Sequence, residues 1–406
     1  MLILKLAFRN IFRQRRRSLL TVLSMSGGFV LYALIISVEE GSYNNAVNFF
    51  TQDHTGHIQI HKGNYRKRPK IYTTIDHPAQ LSALLDANDR IHGHTFRVHA
   101  PALAYSETDN SPVQVIGVDL EREKTTSRLA DKVAEGEYFD SGVSPEGYHS
   151  AMIGAGVSNN LDITIGDEII LLSQGADGSI ANDLFIVAAI IGNKDSHDKG
   201  SVFLPLKSAQ DFLGMYGRVH EVSILLKDDT KARSMSASIQ EQIPDLTVEP
   251  WQIVESTFYK SMIADKEGAN FMMTIIVFIV FIGVLNTVLM SVLERTREFG
   301  VLKAVGTRPR TIAWLITLET SLLSIISISI GLVISIPVTG WLTFVGFELP
   351  EPLDVGGISM SHMQGEMSFI VFSLPAITIF IFALLISIPT GLRAARILPT
   401  EAMGSH

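Results

Sequence analysis

Four apolar runs constrain this chain more than any other feature, because each is long enough to cross a ~30 Å hydrocarbon core, which takes roughly 20 residues of helix. They run from Leu19 to Val38, from Phe271 to Leu293, from Ile312 to about Val345 and from Phe369 to Ile388, almost without charge. The third is longer than a crossing needs. Pro337 and Gly340 interrupt it, so the expectation is a spanning helix that ends near Ile336 and a turn beyond it.

Short segments rich in Lys and Arg stay on the cytoplasmic side of a membrane. Residues 1–17 carry Lys5, Arg9, Arg13, Arg15, Arg16 and Arg17 and no acid. The loop after the second run holds Arg295, Arg297, Lys303, Arg308 and Arg310, and the tail holds Arg393 and Arg396. Between Gly346 and Ser368 stand Glu348, Glu351, Asp354 and Glu366 with no base. Both termini are therefore expected in the cytoplasm. A signal peptide also starts basic and then apolar, but the first run ends at Glu39-Glu40 without a small-x-small cleavage site, and it is needed to keep both basic ends on one side.

The expected division is a cytoplasmic amphipathic helix over 1–18, crossings over 19–40, 268–293, 311–345 and 369–391, and an external domain over 41–267. A cytoplasmic loop follows over 294–310, an external loop over 346–368 and a cytoplasmic tail over 392–406, whose last three residues, Gly404-Ser405-His406, resemble a tag remnant. The fold class is an α-helical membrane protein with four transmembrane helices and a large α+β extracytoplasmic domain. Some 225 residues outside suffice for one large or two small domains with their own cores.

From Glu39 to Glu267 there are 33 acidic and 20 basic residues, whereas the whole chain carries a net charge of -8. That argues against nucleic acid as a partner, and anionic lipid head groups suit the basic start better. The chain has no Cys, so an external domain must be held by packing rather than disulfides. Alternation of apolar and polar residues marks strands at Ile58 to His61, Thr95 to Ala104, Val113 to Val118, Asp167 to Leu172, Leu184 to Ile191 and Val219 to Leu226. Helical spacing marks Pro78 to Leu85, Lys207 to Met215 and Lys231 to Gln242, while Gln252 to Asn270 leads into the second crossing. Gly175-Ala176-Asp177-Gly178 and Asp140-Ser141-Gly142 are turn signals.

Chemistry has few footholds. There is no G-x-x-x-x-G-K-[ST] phosphate loop and no G-x-S-x-G elbow. His54, His57 and His61 invite a metal reading, but on a strand residues four apart stand about 13 Å apart; His92, His94 and His99 fare no better. The scattered external acids read as a solvated surface. Glu319, about seven residues into the third run, is a functional group or else the partner of a base such as Arg308 or Arg310. Asn286 invites a hydrogen bond across a helix contact. Leu31, Leu34, Ile35, Phe271, Met272, Ile275, Phe278 and Ile279 gather at the outer ends of the first two crossings and could line a cavity for a greasy substrate. Lipid-facing helices share that composition.

The segment Glu294-Arg-Thr-Arg-Glu-Phe-Gly-Val-Leu-Lys-Ala-Val-Gly306 stands apart. Phe299, Val301, Leu302 and Val305 supply one apolar side of a short helix, and Glu294, Arg297, Glu298 and Lys303 supply the other, so it could lie in a membrane interface or dock into a partner.

This segment, together with one crossing, a large external domain and three further crossings, resembles the FtsX/MacB/LolC superfamily of ABC transporter permeases. So do Leu6-Ala-Phe-Arg9-Asn10-Ile-Phe-Arg13-Gln-Arg-Arg-Arg-Ser18 as an entry helix, Gly154-Ala-Gly156-Val-Ser with Ile165-Gly166-Asp167, and Val202-Phe-Leu-Pro205 to Leu213. Glu319 followed by Gly331 fits its third span, and the tail with Arg393, Ala394, Arg396 and Pro399 fits its ending.

The resemblance implies a non-catalytic permease that transmits mechanical force. A cytoplasmic ABC ATPase dimer would bind ATP and Mg, so no cofactor is expected in this chain, and the permease would pair with a second, identical or different permease subunit in the bacterial inner membrane. It further implies that Glu294, Arg295, Glu298, Phe299, Gly300, Lys303 and Gly306 couple to the ATPase. Outside, it implies a porter-like part and an inserted β-rich part at roughly 130–215. Membrane lipids, lipoprotein cargo and a periplasmic carrier or adaptor are the implied partners, with Gln174 to Leu184 as the loop that would meet a carrier. The chain looks closest to the lipoprotein-releasing permease group, so extraction of lipoprotein or other hydrophobic cargo is the expected use, with MacB-like efflux of a peptide, toxin or drug and FtsX-like signalling to a periplasmic partner as the alternatives. A membrane-anchored receptor or assembly protein is the alternative of a different class.

Overall fold

The computed structural model describes residues 2–13, 15–139, 147–193, 196–355 and 358–396. The turn signal at Asp140 to Gly142, and residues 397–406 with Pro399 among them, lie outside them. The chain divides into two compact units, residues 1–45 with 260–406, and residues 46–259.

The second unit is a ten-stranded sheet with flanking helices. Its strands are β1 (Ile58–His61), β2 (Ile91–Tyr105), β3 (Asn110–Val118), β4 (Val133–Gly136), β5 (His149–Gly154), β6 (Glu168–Gln174), β7 (Ile180–Ile191), β8 (Ser201–Pro205), β9 (Glu221–Leu226) and β10 (Thr247–Pro250). The order is β10-β1-β9-β2-β3-β8-β5-β7-β4, with β6 paired to β2 and β7. Gln174 to Leu184 forms the tip of the β6–β7 hairpin, where Ile180 stands 81% exposed.

Strand periodicity sorts this sheet into two unlike faces. Ile58, Ile60, Phe96, Val98, Ala100, Val222 and Ile224 are buried on one face, together with Ala209 and Phe212 of the helix Leu206–Phe212 and Met235 and Ile239 of the helix Ala232–Gln242. The other face carries Gln59, His61, Arg97, His99 and Glu221 over β1, β9 and β2, then turns apolar toward β3, β8 and β5, where Val118, Met152 and Phe203 share a cluster with Leu129 and Phe139. Four acids here, Asp53, Glu123, Asp198 and Glu221, are buried. The expectation of a wholly solvated set of acids is corrected: each meets a cation inside the unit.

The first unit is helical. It contains α1 (Leu2–Arg13), α2 (Arg15–Phe50), α3 (Ser256–Glu294), α4 (Thr296–Ala304), α5 (Pro309–Phe344) and α6 (Phe369–Arg396). Of these, α2, α3, α5 and α6 are long and apolar enough to cross a membrane. α3 begins afresh at Ser256, after a short helix Trp251–Val254 that ends at Glu255. The bundle core takes Met25, Phe29, Ala33 and Ile36 from α2, Met273, Val284 and Val288 from α3, and Val371, Ile379, Ala383 and Ile386 from α6. In lipid, association depends on close packing rather than on the expulsion of water, so small residues belong at crossings. Gly331 of α5 fits this rule, since a Cβ there would come within 2.6 Å of the Phe29 ring. Along α5 the buried hydroxyls of Thr320, Ser324, Ser327 and Thr339 donate back to carbonyls of their own helix at 2.7–3.0 Å, which satisfies them without a partner helix.

Two expectations are corrected here. α5 does not end near Ile336 but runs through Pro337 and Gly340 to Phe344, because a spanning helix tolerates proline where neighbouring helices and Ser/Thr side chains compensate the lost bond. The segment after it is not plain loop: β11 (Phe347–Val355) and β12 (Ile358–Met363) pair antiparallel, with Phe347 opposite Met363 and Val355 opposite Ile358.

Candidate functional site

The charged segment after α3 folds as α4. Its first hydroxyl, Thr296 Oγ1, donates back to the carbonyl of Leu293 at 2.8 Å. The helix stops at Gly306, whose φ of +97° is a conformation L side chains avoid. From there the Gly306 N–H reaches the Lys303 carbonyl at 2.9 Å and the Thr307 N–H reaches Leu302 at 3.0 Å, closing the last turn.

Four side-chain anchors hold α4 in the first unit. Arg295, at the turn entering it, donates to Glu319 Oε2 on α5 at 2.7 Å and to Glu298 Oε2 at 3.1 Å. Its guanidinium also lies 5.1 Å from the centre of the Phe299 ring. Phe299 is fully buried with Val292, Ile312, Ile316 and Ala394, so it joins α3, α5 and α6. Lys303 Nζ donates to the Ala395 carbonyl near the end of α6 at 3.0 Å. Glu298 accepts from Arg13 of α1, and beside it Arg17 of α2 reaches both Glu294 Oε2, at 3.3 Å, and Ser291 Oγ.

The seven expected coupling residues thus converge on one short helix and its flanks. Glu294 is exposed at the end of α3, Arg295, Phe299 and Gly300 are buried, Glu298 and Lys303 are half-buried, and Gly306 caps the helix. Two details differ from expectation. The apolar residues do not share one side: Phe299 points into the bundle, whereas Val301, Leu302 and Val305 stand 48%, 39% and 83% exposed. A nine-residue helix pressed on a bundle needs its buried anchor on one face, which leaves the other three as a free apolar ridge. Glu319 is paired, but with Arg295 rather than with Arg308 or Arg310.

The eight outer-end residues do not enclose a cavity. Phe271, Met272, Ile275, Phe278 and Ile279 are exposed on α3 and Leu31 on α2, while Leu34 and Ile35 are half-buried. Inside the bundle the space beside Met25, Tyr32, Phe281 and Phe382 amounts to about 20 Å³, far below the roughly 300–1,000 Å³ of ligand sites. Asn286 lies exposed on the same helix rather than bonded across a contact within this unit.

Among the described residues no three His, Asp or Glu groups are placed to hold a metal ion. The His54 side chain is not among those described; His57, His61 and His94 have structural partners. His57 Nδ1 accepts from the Leu226 N–H at 2.9 Å, and His61 bonds Gln59 at 2.9 Å. His94 faces Arg122 at 2.8 Å. His92 is exposed.

His220, which periodicity marked only as a strand residue, accepts from the His99 N–H at 3.0 Å and donates to the Ile71 carbonyl at 2.8 Å. Its ring stacks on Tyr65, which stacks in turn on His61. These bonds require a neutral ring, and burial pushes His220 down to about 4. Close by, Arg97 bonds Glu123 at 2.6 Å and reaches Glu221 at 3.5 Å. Burial alone would raise Glu221, but His99, His61 and Arg97 hold it below the ordinary carboxylate range.

Both shifts act in one direction. A histidine with a depressed folded pKa leaves stability intact above its unfolded value near 6.5 and removes it as pH falls toward 4, while Glu221 removes more at lower pH. We expect the β-rich unit to lose about 3 kcal/mol from His220 alone over that window. Melting of the full chain at pH 7 and pH 4.5, with His220→Asn as the flattened comparison, checks this; equal melting temperatures at both pH values would refute it.

The MacB-like periplasmic core domain family matches residues 18–242, and the FtsX-like permease C-terminal family matches residues 270–398. The lipoprotein-releasing system transmembrane protein LolE of Haemophilus influenzae is 22% identical over 345 residues, covering 82% of each chain. LolC of the same named system in Xylella fastidiosa is 24% identical over 342 residues, 79% of each chain. The macrolide export ATP-binding/permease protein MacB of Bordetella avium is 20% identical over 98% of this chain and 59% of its own length. With one family match covering more than half of the chain and four helices suited to crossing a bilayer, the chain is a multi-pass membrane protein that belongs to the FtsX-like, MacB-like ABC transporter permeases.

Proposed function

We propose that this chain is the non-catalytic permease subunit of a mechanically driven transporter that extracts lipoprotein or another hydrophobic cargo from the inner membrane. A separate cytoplasmic ATPase dimer, which holds the ATP and Mg, docks on α4, and a second permease copy or homologue completes the complex. The anchoring of α4 carries this reading. A short helix fixed by Phe299, Arg295 and Lys303 to three bundle helices transmits a push without yielding, and its outward ridge of Val301, Leu302 and Val305 offers a partner an apolar seat. The exposed α3 face from Phe271 to Ile279 then faces the second permease and the cargo. The cavity is thus a property of the pair rather than of one chain.

Lipoprotein release is favoured over efflux by the relatives named for it, which align over most of their own length as well as of this chain. Efflux of a peptide, toxin or drug is the second reading, supported by the MacB relative that aligns along almost the entire chain. In either case contact with a carrier or adaptor is assigned to the exposed hairpin tip at Ile180.

Sidedness is testable because the chain has no cysteine. A single Val305→Cys in permease expressed without its ATPase is expected to resist a membrane-impermeant maleimide in intact cells and to react in inverted vesicles, with Ile180→Cys behaving the opposite way. Labelling of position 305 in intact cells would refute the proposed orientation.

A further inference from the structure

A groove between the inner halves of α5 and α6 meets the coupling contacts at Ala395. It encloses about 500 Å³, within the roughly 300–1,000 Å³ of ligand sites. Trp314 of α5 and Leu384, Ile388 and Leu392 of α6 form its walls, and Arg310 and Arg396 stand at one end. The two helices approach closely at Gly391, where a Cβ would come within 3.2 Å of the Ala313 carbonyl. Trp314, Ile388 and Leu392 are each about half exposed or more, so the groove opens toward the membrane.

Its dimensions and charge select one occupant. From Leu384 to Arg396 the wall rises about 18 Å at 1.5 Å per residue, the depth of one leaflet of a ~30 Å core together with its head-group edge. Apolar walls over that depth suit an acyl chain and not a soluble anion. Among the described residues neither Arg310 nor Arg396 has an ion-pair partner, and two guanidiniums suit a phosphodiester head group that each can grip with paired N–H donors. Trp314 lies one turn inward of Arg310, at the level where indoles sit in membranes.

We propose that this groove holds one anionic phospholipid from the leaflet that borders α4. Occupancy has a mechanical consequence, because Ala395, which also lines the groove, accepts the Lys303 bond that ties α4 to α6. A bound lipid therefore steadies the seat of the coupling helix. The inference requires only that the four helices span a membrane.

Full-length chain purified in mild detergent and examined by native mass spectrometry provides the test, with phosphatidylglycerol, phosphatidylcholine and inorganic phosphate as separate probes. One phosphatidylglycerol is expected to be retained and to raise the melting temperature, while phosphatidylcholine and inorganic phosphate do neither. R310Q/R396Q should lower phosphatidylglycerol retention at least tenfold, R310K/R396K should keep most of it, and the charge-matched R9Q/R16Q should keep all of it. I388W, which fills the groove and leaves both arginines intact, should also lose the lipid. Undiminished retention in R310Q/R396Q or in I388W, equal retention of phosphatidylcholine, or an equal melting shift with inorganic phosphate would each overturn the assignment.

Discussion

Arg295→Met, with Glu319 left in place, is expected to destabilise the helical unit by about 3–5 kcal/mol, the cost of stranding a buried carboxylate whose partner has been removed. Arg295 is 6% exposed and Glu319 7%, so neither has water to replace the other. Arg295 also bonds Glu298, whose other partner is Arg13. Its loss therefore also removes one of the bonds on the carboxylate that links α1 to α4. The double change R295M/E319L removes both charges and is expected to recover most of the stability, since apolar replacement of a whole buried pair is often neutral. Unfolding midpoints of the full chain in detergent measure both. If the single change left the midpoint where the wild type has it, or the double change fell as far as the single, the ion pair would not be what seats α4.

The second large effect concerns docking. Val301→Asp with Val305→Asp places two charges on the ridge without touching the bundle, because both side chains point away from it. Folding should be preserved, while a partner seated there must now bury unpaired carboxylates. Retention of the ATPase by the purified permease is expected to fall at least tenfold, about 1.4 kcal/mol or more. Unchanged retention would move the docking surface elsewhere. The two predictions separate cleanly, since R295M weakens the seat and V301D/V305D weakens the contact.

Much of this architecture is legible before any coordinates. The four spanning helices follow from long apolar runs, and six of the strands from period-two alternation in segments such as Thr95 to Ala104. What escapes is whatever depends on partners distant in sequence. Arg295 and Glu319 are 24 residues apart, and nothing local favours Arg295 over the nearer Arg308 and Arg310. Phe299 and Val305 carry the same apolar signal, yet only packing against Ile312, Ile316 and Ala394 decides which of them is buried. Glu123 and Glu221 read as solvated acids until Arg97, buried on the strand beside Glu221, supplies the cation for both. The hairpin of β11 and β12 is masked by Pro350, Pro352 and its acids, which carry the composition of a loop. The eight residues from Leu31 to Ile279 illustrate a different limit, since composition cannot tell an exposed apolar helix face from a lined cavity.

The most direct measurement is photocrosslinking from position 305. A benzoyl-phenylalanine in place of Val305, irradiated in native membranes, is predicted to capture an ATP-binding subunit. The ridge at Val301, Leu302 and Val305 would then be the surface through which hydrolysis drives this permease. Adducts only with lipid, or with a protein that binds no nucleotide, would contradict that role.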